Sequence, residues 1–171
     1  MKARKNLSGI LPMILDAGSG HKPLNAPSTV IHIDKYPNRI PNFINATIEH
    51  LPLRNGIIKK VYASHVLEHS LEPRQALLEF RRVATSEVEI RVPNLCYQHT
   101  EQNDHYYTWT AYTIYNLMKT VFPEVEVKHN FRIMGGDLID HLRIQGLIRL
   151  IRWITKFETI VIGRPTLRKT K

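Results

Sequence analysis

The apolar run from Ile10 to Leu15 breaks off at Asp16-Ala17-Gly18-Ser19-Gly20, and a second run, Thr29 to Ile33, ends at Asp34. A glycine turn followed by an acid 18 residues after Asp16 constrains the fold more than any other feature. Glycines at a strand end let the backbone turn sharply and approach a ligand closely. An acid at the end of the next strand can accept both ribose hydroxyls of a nucleoside. Together they point to an adenosine-bearing ligand at the carboxyl edge of a sheet. A dinucleotide fits poorly, because its pyrophosphate wants a helix N-terminus directly after the glycines. Here His21-Lys22-Pro23-Leu24-Asn25-Ala26-Pro27 follows, and two prolines so close leave no room for a regular helix. The third glycine of the dinucleotide fingerprint is also missing, and the first crossover reads as a loop or single turn.

Further strands are expected at Asn42–Ala46, Val61–Ser64, Glu87–Val92, Val125–Lys128 and Phe157–Ile162. A helix over 73–84 has Pro73 in its first turn, Ser70 as a possible cap and an apolar stripe of Ala76, Leu77, Phe80 and Val83. A second helix, over 110–121, puts Ala111, Ile114, Met118 and Val121 on one face, and a third is expected over 141–156. Apolar strands that alternate with helices imply a parallel sheet covered on both faces. The expected fold is α/β: a Rossmann-like open, mostly parallel sheet of about seven strands, with helices on both faces and a shortened first crossover. One domain spans 10–163, between a basic segment, 1–9, and a basic tail, 164–171, that begins after Gly163.

The formal charge of +9 is concentrated at the ends. Residues 1–9 carry three Lys/Arg and no acid, and residues 141–171 carry eight against one acid, which leaves the middle near neutrality at −1. Arg149, Arg152 and Lys156, with Arg143 two turns earlier, form a basic helix face that suits phosphates, an anionic surface or simple solvation. Nucleic acid is thus a possible partner. No run of 18 apolar residues exists to span a membrane. The lone Cys96 excludes an internal disulfide and suits the cytoplasm.

Five motifs in order over residues 12–94 make the chain resemble the class I S-adenosylmethionine-dependent methyltransferases, of the small methyltransferase-11 type. They are Leu15-Asp16-Ala17-Gly18-Ser19-Gly20, His32-Ile33-Asp34, Ala46-Thr47-Ile48-Glu49-His50-Leu51-Pro52-Leu53, the stretch from Val61 to His69, and Leu78-Glu79-Phe80-Arg81-Arg82-Val83 followed by Val92-Pro93-Asn94. The resemblance implies an enzyme that takes S-adenosylmethionine as cofactor. Asp16, Ala17, Gly18, Ser19 and Gly20 would lie against its methionine part, Asp34 with Lys35 at the ribose, and Thr47, Ile48 and Glu49 around the adenine. Ser64 and His65 would close the site. Relatives often carry an acid where Thr47 stands, and a Lys-Pro-Gly-Gly turn where this chain has Ala84-Thr85-Ser86.

Methyl transfer from a sulfonium needs alignment and exclusion of water, and a base only if the acceptor must lose a proton. His65, Glu68 and His69 share a face beside the expected methyl position, and Asp104 and His105 lie in a loop over the acceptor side. These five are the candidate catalytic residues. A metal held by His65 and His69 lacks a clear third ligand and is not expected. Tyr106, Tyr107, Trp109, Tyr112 and Tyr115 form an aromatic group that either packs under that loop or stacks on a planar acceptor. Ser64-His65-Val66-Leu67 stands where base-amino methyltransferases carry an Asn-Pro-Pro-Tyr tetrad, which favours a small-molecule or sugar-like acceptor. The alternatives are a nucleic-acid methyltransferase and an inactive nucleic-acid-binding protein of the same fold.

Overall fold

Along the first strand, β1 (Ile14–Ala17), the buried Leu15 and Ala17 point to one side of the sheet and Asp16 to the other. That parity propagates through the sheet, as seen in the computed structural model, which describes residues 13–21, 23–25, 29–93, 104–131 and 157–165. The other strands are β2 (Val30–Asp34), β3 (Phe43–Asn45), β4 (Ile58–Ser64), β5 (Ala84–Pro93), β6 (Glu124–Phe131) and β7 (Phe157–Arg164). They form one seven-stranded sheet in the order β3-β2-β1-β4-β5-β7-β6. The first five in that order pair in parallel, and β7 runs antiparallel to both β5 and β6. From β1 the chain steps outward to β2 and β3, then returns to place β4 on the other side of β1. The switch point between β1 and β4 is where ligands of such sheets bind.

In register, Leu15 lies beside Val61, Val61 beside Val88, and Val88 beside Gly163. This apolar face carries helices α1 (Pro73–Val83) and α2 (Ala111–Lys119). Ala76, Leu77, Phe80 and Val83 are all buried in its core, with Ile114, Met118 and Val121 beside them. A Cβ on Gly163 would fall 2.6 Å from the Phe122 ring, just beyond α2, so only glycine lets that strand pass. Arg81 at the end of α1 donates to the Val121 carbonyl at 2.7 Å, which joins the two helices on the same face.

The opposite face is polar. Asp16 lies beside His32 and Tyr62, Tyr62 beside Glu89, and Glu89 beside Ile162. Lys60 pairs with Glu87 at 2.8 Å and with Glu89 at 2.7 Å, Arg91 pairs with Glu89, and Arg164 with Glu124 and Glu126. The strands β4, β5 and β6 therefore alternate apolar and polar side chains, where continuous apolar runs were expected. Among the described residues both α-helices lie on the apolar face, as alternation requires.

Several boundaries move. Helix α1 stops at Val83 and β5 begins at Ala84 with no intervening turn. Its N-cap is Glu72, not Ser70; the Ser70 hydroxyl instead accepts the Glu72 N–H at 3.2 Å and so braces the entry to the helix. β7 runs on past Ile162 through Gly163 and takes in Arg164, the first residue of the expected tail. Thr110 caps α2 by accepting the Thr113 N–H at 3.1 Å. The described part of the first crossover holds no helix. Cys96, Asn94, the start of the loop before Asp104, and the basic helix expected over 141–156 lie outside the described residues, as do 1–12 and 166–171.

Candidate active site

Beyond β1 the backbone turns through Gly18 at φ +73° and Gly20 at φ +49°. The Gly18 and Ser19 N–H groups both donate to the Ile33 carbonyl, at 2.8 and 3.1 Å, which ties the turn to β2. Asp34, at the end of β2, accepts from the Gly20 N–H at 2.8 Å on one carboxylate oxygen and from the Tyr36 N–H at 2.8 Å on the other. Asn38 donates to the Gly20 carbonyl at 3.1 Å, and Asn45 donates to the carbonyls of Asp34 and Lys35. The acid and the glycine turn are therefore one unit, with lone pairs left on Asp34 for further donors.

This unit forms one wall of a cavity of about 750 Å³ at the switch point, a size that suits a small-molecule ligand. Gly18, Gly20, Asp34, Lys35, Thr47, Ile48, Glu49 and His65 all line it, with His69 and Asp104 from the candidate catalytic group. Exposed Tyr36, Leu71 and Tyr106 add apolar surface at its walls. Asp16, Ala17, Ser19 and Ser64 do not line it. Asp16 is buried on the polar sheet face, where it pairs with His32 Nδ1 at 3.0 Å and accepts the Leu24 N–H at 2.8 Å. It anchors the crossover instead of facing the cavity.

The Thr47–His50 wall is held from behind. Ser70 donates its hydroxyl proton to Glu49, and Gln75 reaches the Glu49 carbonyl. Arg82 forms a two-pronged pair with Glu79, at 2.6 Å on each side, and donates to the carbonyls of Leu51 at 3.0 Å and Leu53 at 2.7 Å. Glu79 also accepts the Leu51 N–H at 2.9 Å. The Arg82 hydrogen bonds hold the Glu79 carboxyl below the usual carboxylate range. Sequence reasoning saw Glu79 and Arg82 only as part of a motif; their i, i+3 spacing was the available signal.

At the end of β4, His65 adopts φ +51°, a left-handed conformation that costs a non-glycine residue energy. Its Nδ1 is 3.6 Å from Glu68 Oε1. Glu68 sits in a 3-10 turn, Leu67–His69, and is 0% exposed; among the described residues neither of its carboxylate oxygens has a hydrogen-bond partner. The Glu68 carbonyl accepts the Tyr106 N–H at 2.8 Å, which docks the 104–107 segment on this turn. His69 Nδ1 lies 3.0 Å from the Asp104 carbonyl and 3.2 Å from its carboxylate, and the His69 and His105 rings meet edge to face at 4.5 Å. The expected trio is thus joined by Asp104 and His105. Glu68, His69 and His105 bring one donor atom each within 4.8 Å of one another, and it is His105, not His65, that completes this set. Of the aromatic group, Trp109 is buried with Tyr107 stacked on it, while Tyr106 faces the cavity and Tyr112 is exposed.

Residues 16–90 match the family model of a methyltransferase domain. No curated protein matches the chain. Among solved structures, it is similar to a chain of the complex between the Haloferax volcanii Trm112 methyltransferase activator and a methyltransferase, at 12% identity and a TM-score of 0.68, over 94% of this chain and 84% of that one. A SAM-dependent methyltransferase from Archaeoglobus fulgidus gives 16% identity and a TM-score of 0.67, over 90% and 86%. The Burkholderia thailandensis 1,6-didemethyltoxoflavin-N1-methyltransferase, solved with S-adenosylhomocysteine, gives 13% and 0.61, over 91% and 72%.

Proposed function

We infer that this chain, which has the class I S-adenosylmethionine-dependent methyltransferase fold and a methyltransferase domain across residues 16–90, transfers a methyl group from S-adenosylmethionine to a small-molecule or sugar-like acceptor in the cytoplasm. One observation carries the reading: a single cavity at the switch point joins the glycine turn and Asp34 to the His65–His69 turn. The residues fit the cofactor. A Cβ on Gly20 would meet nothing nearer than the Gly18 carbonyl at 4.0 Å, so the missing side chain leaves open space beside Asp34. When bound, the cofactor supplies an electrophilic methyl on a sulfonium sulfur.

The chain's own residues do the rest. Gly18 and Gly20 give close backbone approach, Asp34 accepts from ribose hydroxyls, and Lys35 lies beside it. Thr47, Ile48 and Glu49 flank the base, with Glu49 the acid that Thr47 does not provide. Ala17 and Ser19 shape the turn without lining the cavity, and Ser64 ends the strand that presents His65. His65 is the candidate base where an acceptor must lose a proton; His69 and Asp104 form the acceptor-side wall, with Glu68 and His105 packed beside His69 without lining the cavity.

Calorimetric titration with S-adenosylmethionine and S-adenosylhomocysteine tests this on wild type and Asp34→Ala. Micromolar binding that disappears in a folded Asp34→Ala variant supports the reading. No binding at protein concentrations of about 100 μM overturns it. Salt-sensitive binding of RNA or DNA without cofactor binding would instead identify a nucleic-acid-binding protein on this fold.

A further inference from the structure

We propose that Glu68, His69 and His105 bind a divalent transition-metal cation at the acceptor side of the cavity, and that the acceptor is a hydroxyl compound held by that cation. Three observations converge. The donor atoms of the three residues lie within 4.8 Å of one another, so side-chain rotation of an ångström or so closes them around one ion. The Glu68 carboxylate is fully buried, and neither oxygen has a hydrogen-bond partner among the described residues. His65 Nδ1 lies 3.6 Å from Oε1, beyond hydrogen-bond reach, and a bound cation would compensate the burial of this carboxylate directly. His69 is also oriented by Asp104. His69 Nδ1 faces the carbonyl and carboxylate of Asp104, at 3.0 and 3.2 Å. A proton on Nδ1 then leaves Nε2 as the lone-pair nitrogen, the usual arrangement for a metal-bound histidine.

The set is assembled by main-chain bonds rather than by chance proximity. The Tyr106 and Tyr107 N–H groups both donate to the Glu68 carbonyl, at 2.8 and 3.3 Å, which fixes His105 beside the 3-10 turn. Two imidazoles and one carboxylate suit Zn²⁺, Mn²⁺, Fe²⁺ or Co²⁺ and leave positions open for water or substrate. Of the three ligands, His69 lines the same cavity as Asp34 and Gly20, and Glu68 and His105 stand beside it without lining that cavity. A cation here lowers the pKa of a bound hydroxyl, whose O–H proton passes to solvent as the oxygen becomes nucleophilic. The choice of acceptor rests on the methyltransferase reading; the cation site does not.

The test therefore reads metal binding without cofactor. Co²⁺ and Zn²⁺ are titrated into metal-free full-length protein, following visible absorption of Co²⁺ and heat for Zn²⁺, for wild type, His105→Ala and Glu68→Gln. One equivalent bound with micromolar or tighter affinity, weakened about tenfold or more in His105→Ala, supports the site. Absence of stoichiometric binding, or binding that His105→Ala leaves unchanged, overturns it. Should Glu68→Gln fail to fold, His105→Ala, at a partly exposed position, still decides. A parallel titration with S-adenosylhomocysteine separates failure of the metal site from failure of the methyltransferase reading.

Discussion

At Gly18 two constraints coincide. The residue sits at φ +73°, and a Cβ there would lie 2.3 Å from Val66 Cγ2. Gly18→Ala must both adopt a left-handed backbone and displace Val66, a side chain of the cavity wall. We expect about 3 kcal/mol of destabilisation by urea unfolding, with cofactor affinity reduced in whatever fraction folds. His65 presents the reverse case. Its φ of +51° is one that glycine adopts freely and an L side chain does not. His65→Gly should stabilise the fold by up to about 1 kcal/mol while it removes the candidate base. His65→Ala keeps the strain and loses the ring. Equal stability of the two variants would show that the backbone is not strained, and full activity in both would remove His65 from the chemistry.

Between elements, α1 acts as a clamp. Arg82 reaches from the helix to the Leu51 and Leu53 carbonyls and to the Asn55 side chain at 2.8 Å, directly after the Thr47–His50 wall. Arg82→Ala should cost about 2 kcal/mol through the unpaired carbonyls and Glu79. It should also weaken cofactor binding more than it slows a saturated reaction, since the wall and not the reacting centre moves. A kcat loss with unchanged cofactor affinity would contradict that. The polar sheet face makes a pH prediction. Burial pushes the Glu89 carboxyl up, but hydrogen bonds from Lys60 and Arg91 outweigh it and the net direction is down from 4.5; Glu79 is lowered too, first by Arg82. Folded Glu89 and Glu79 thus hold protons less readily than the unfolded chain. Their contribution is present above about 4.5 and is lost as pH falls through the folded values, so urea midpoints should drop across that acid window. Glu89→Gln together with Glu79→Gln should flatten the drop. This network also marks what the sequence made legible. Strand positions, α1 and its stripe, and the Gly18–Gly20–Asp34 unit follow from local pattern, because turns and periodicity are local. The burial of Asp16 follows from the parity of Leu15 and Ala17, which sends its side chain to the other face, beside His32, whereas its bond to the Leu24 N–H was not legible from pattern. His105 could not be joined to Glu68 from spacing, since backbone bonds across 38 residues, from Tyr106 to Glu68, make that contact.

In the whole molecule, the cavity is lined by stretches far apart in the chain, from Gly18, Asp34, Thr47, His65 and Asp104 onward. Only the sheet register brings them together: β1 beside both β2 and β4, and β2 beside β3. A ligand that touches all of these walls has no site on the unfolded chain, so its binding free energy adds in full to stability. At one hundred times its Kd, S-adenosylhomocysteine should stabilise the fold by about 2.7 kcal/mol. For a chain of this size each kcal/mol moves the Tm by about 2–4 °C, so the midpoint should rise by about 5–10 °C. The same linkage sets a spatial signature. The Gly20 and Tyr36 N–H groups, both bound to Asp34, should slow in hydrogen exchange together with the Thr47–His50 backbone, while β6 at the far edge changes only with global stability. Asp34→Ala should abolish the shift and the local protection at once. A thermal shift that survives in Asp34→Ala would mean that the ligand occupies a different surface, and the glycine turn would then be a structural turn only.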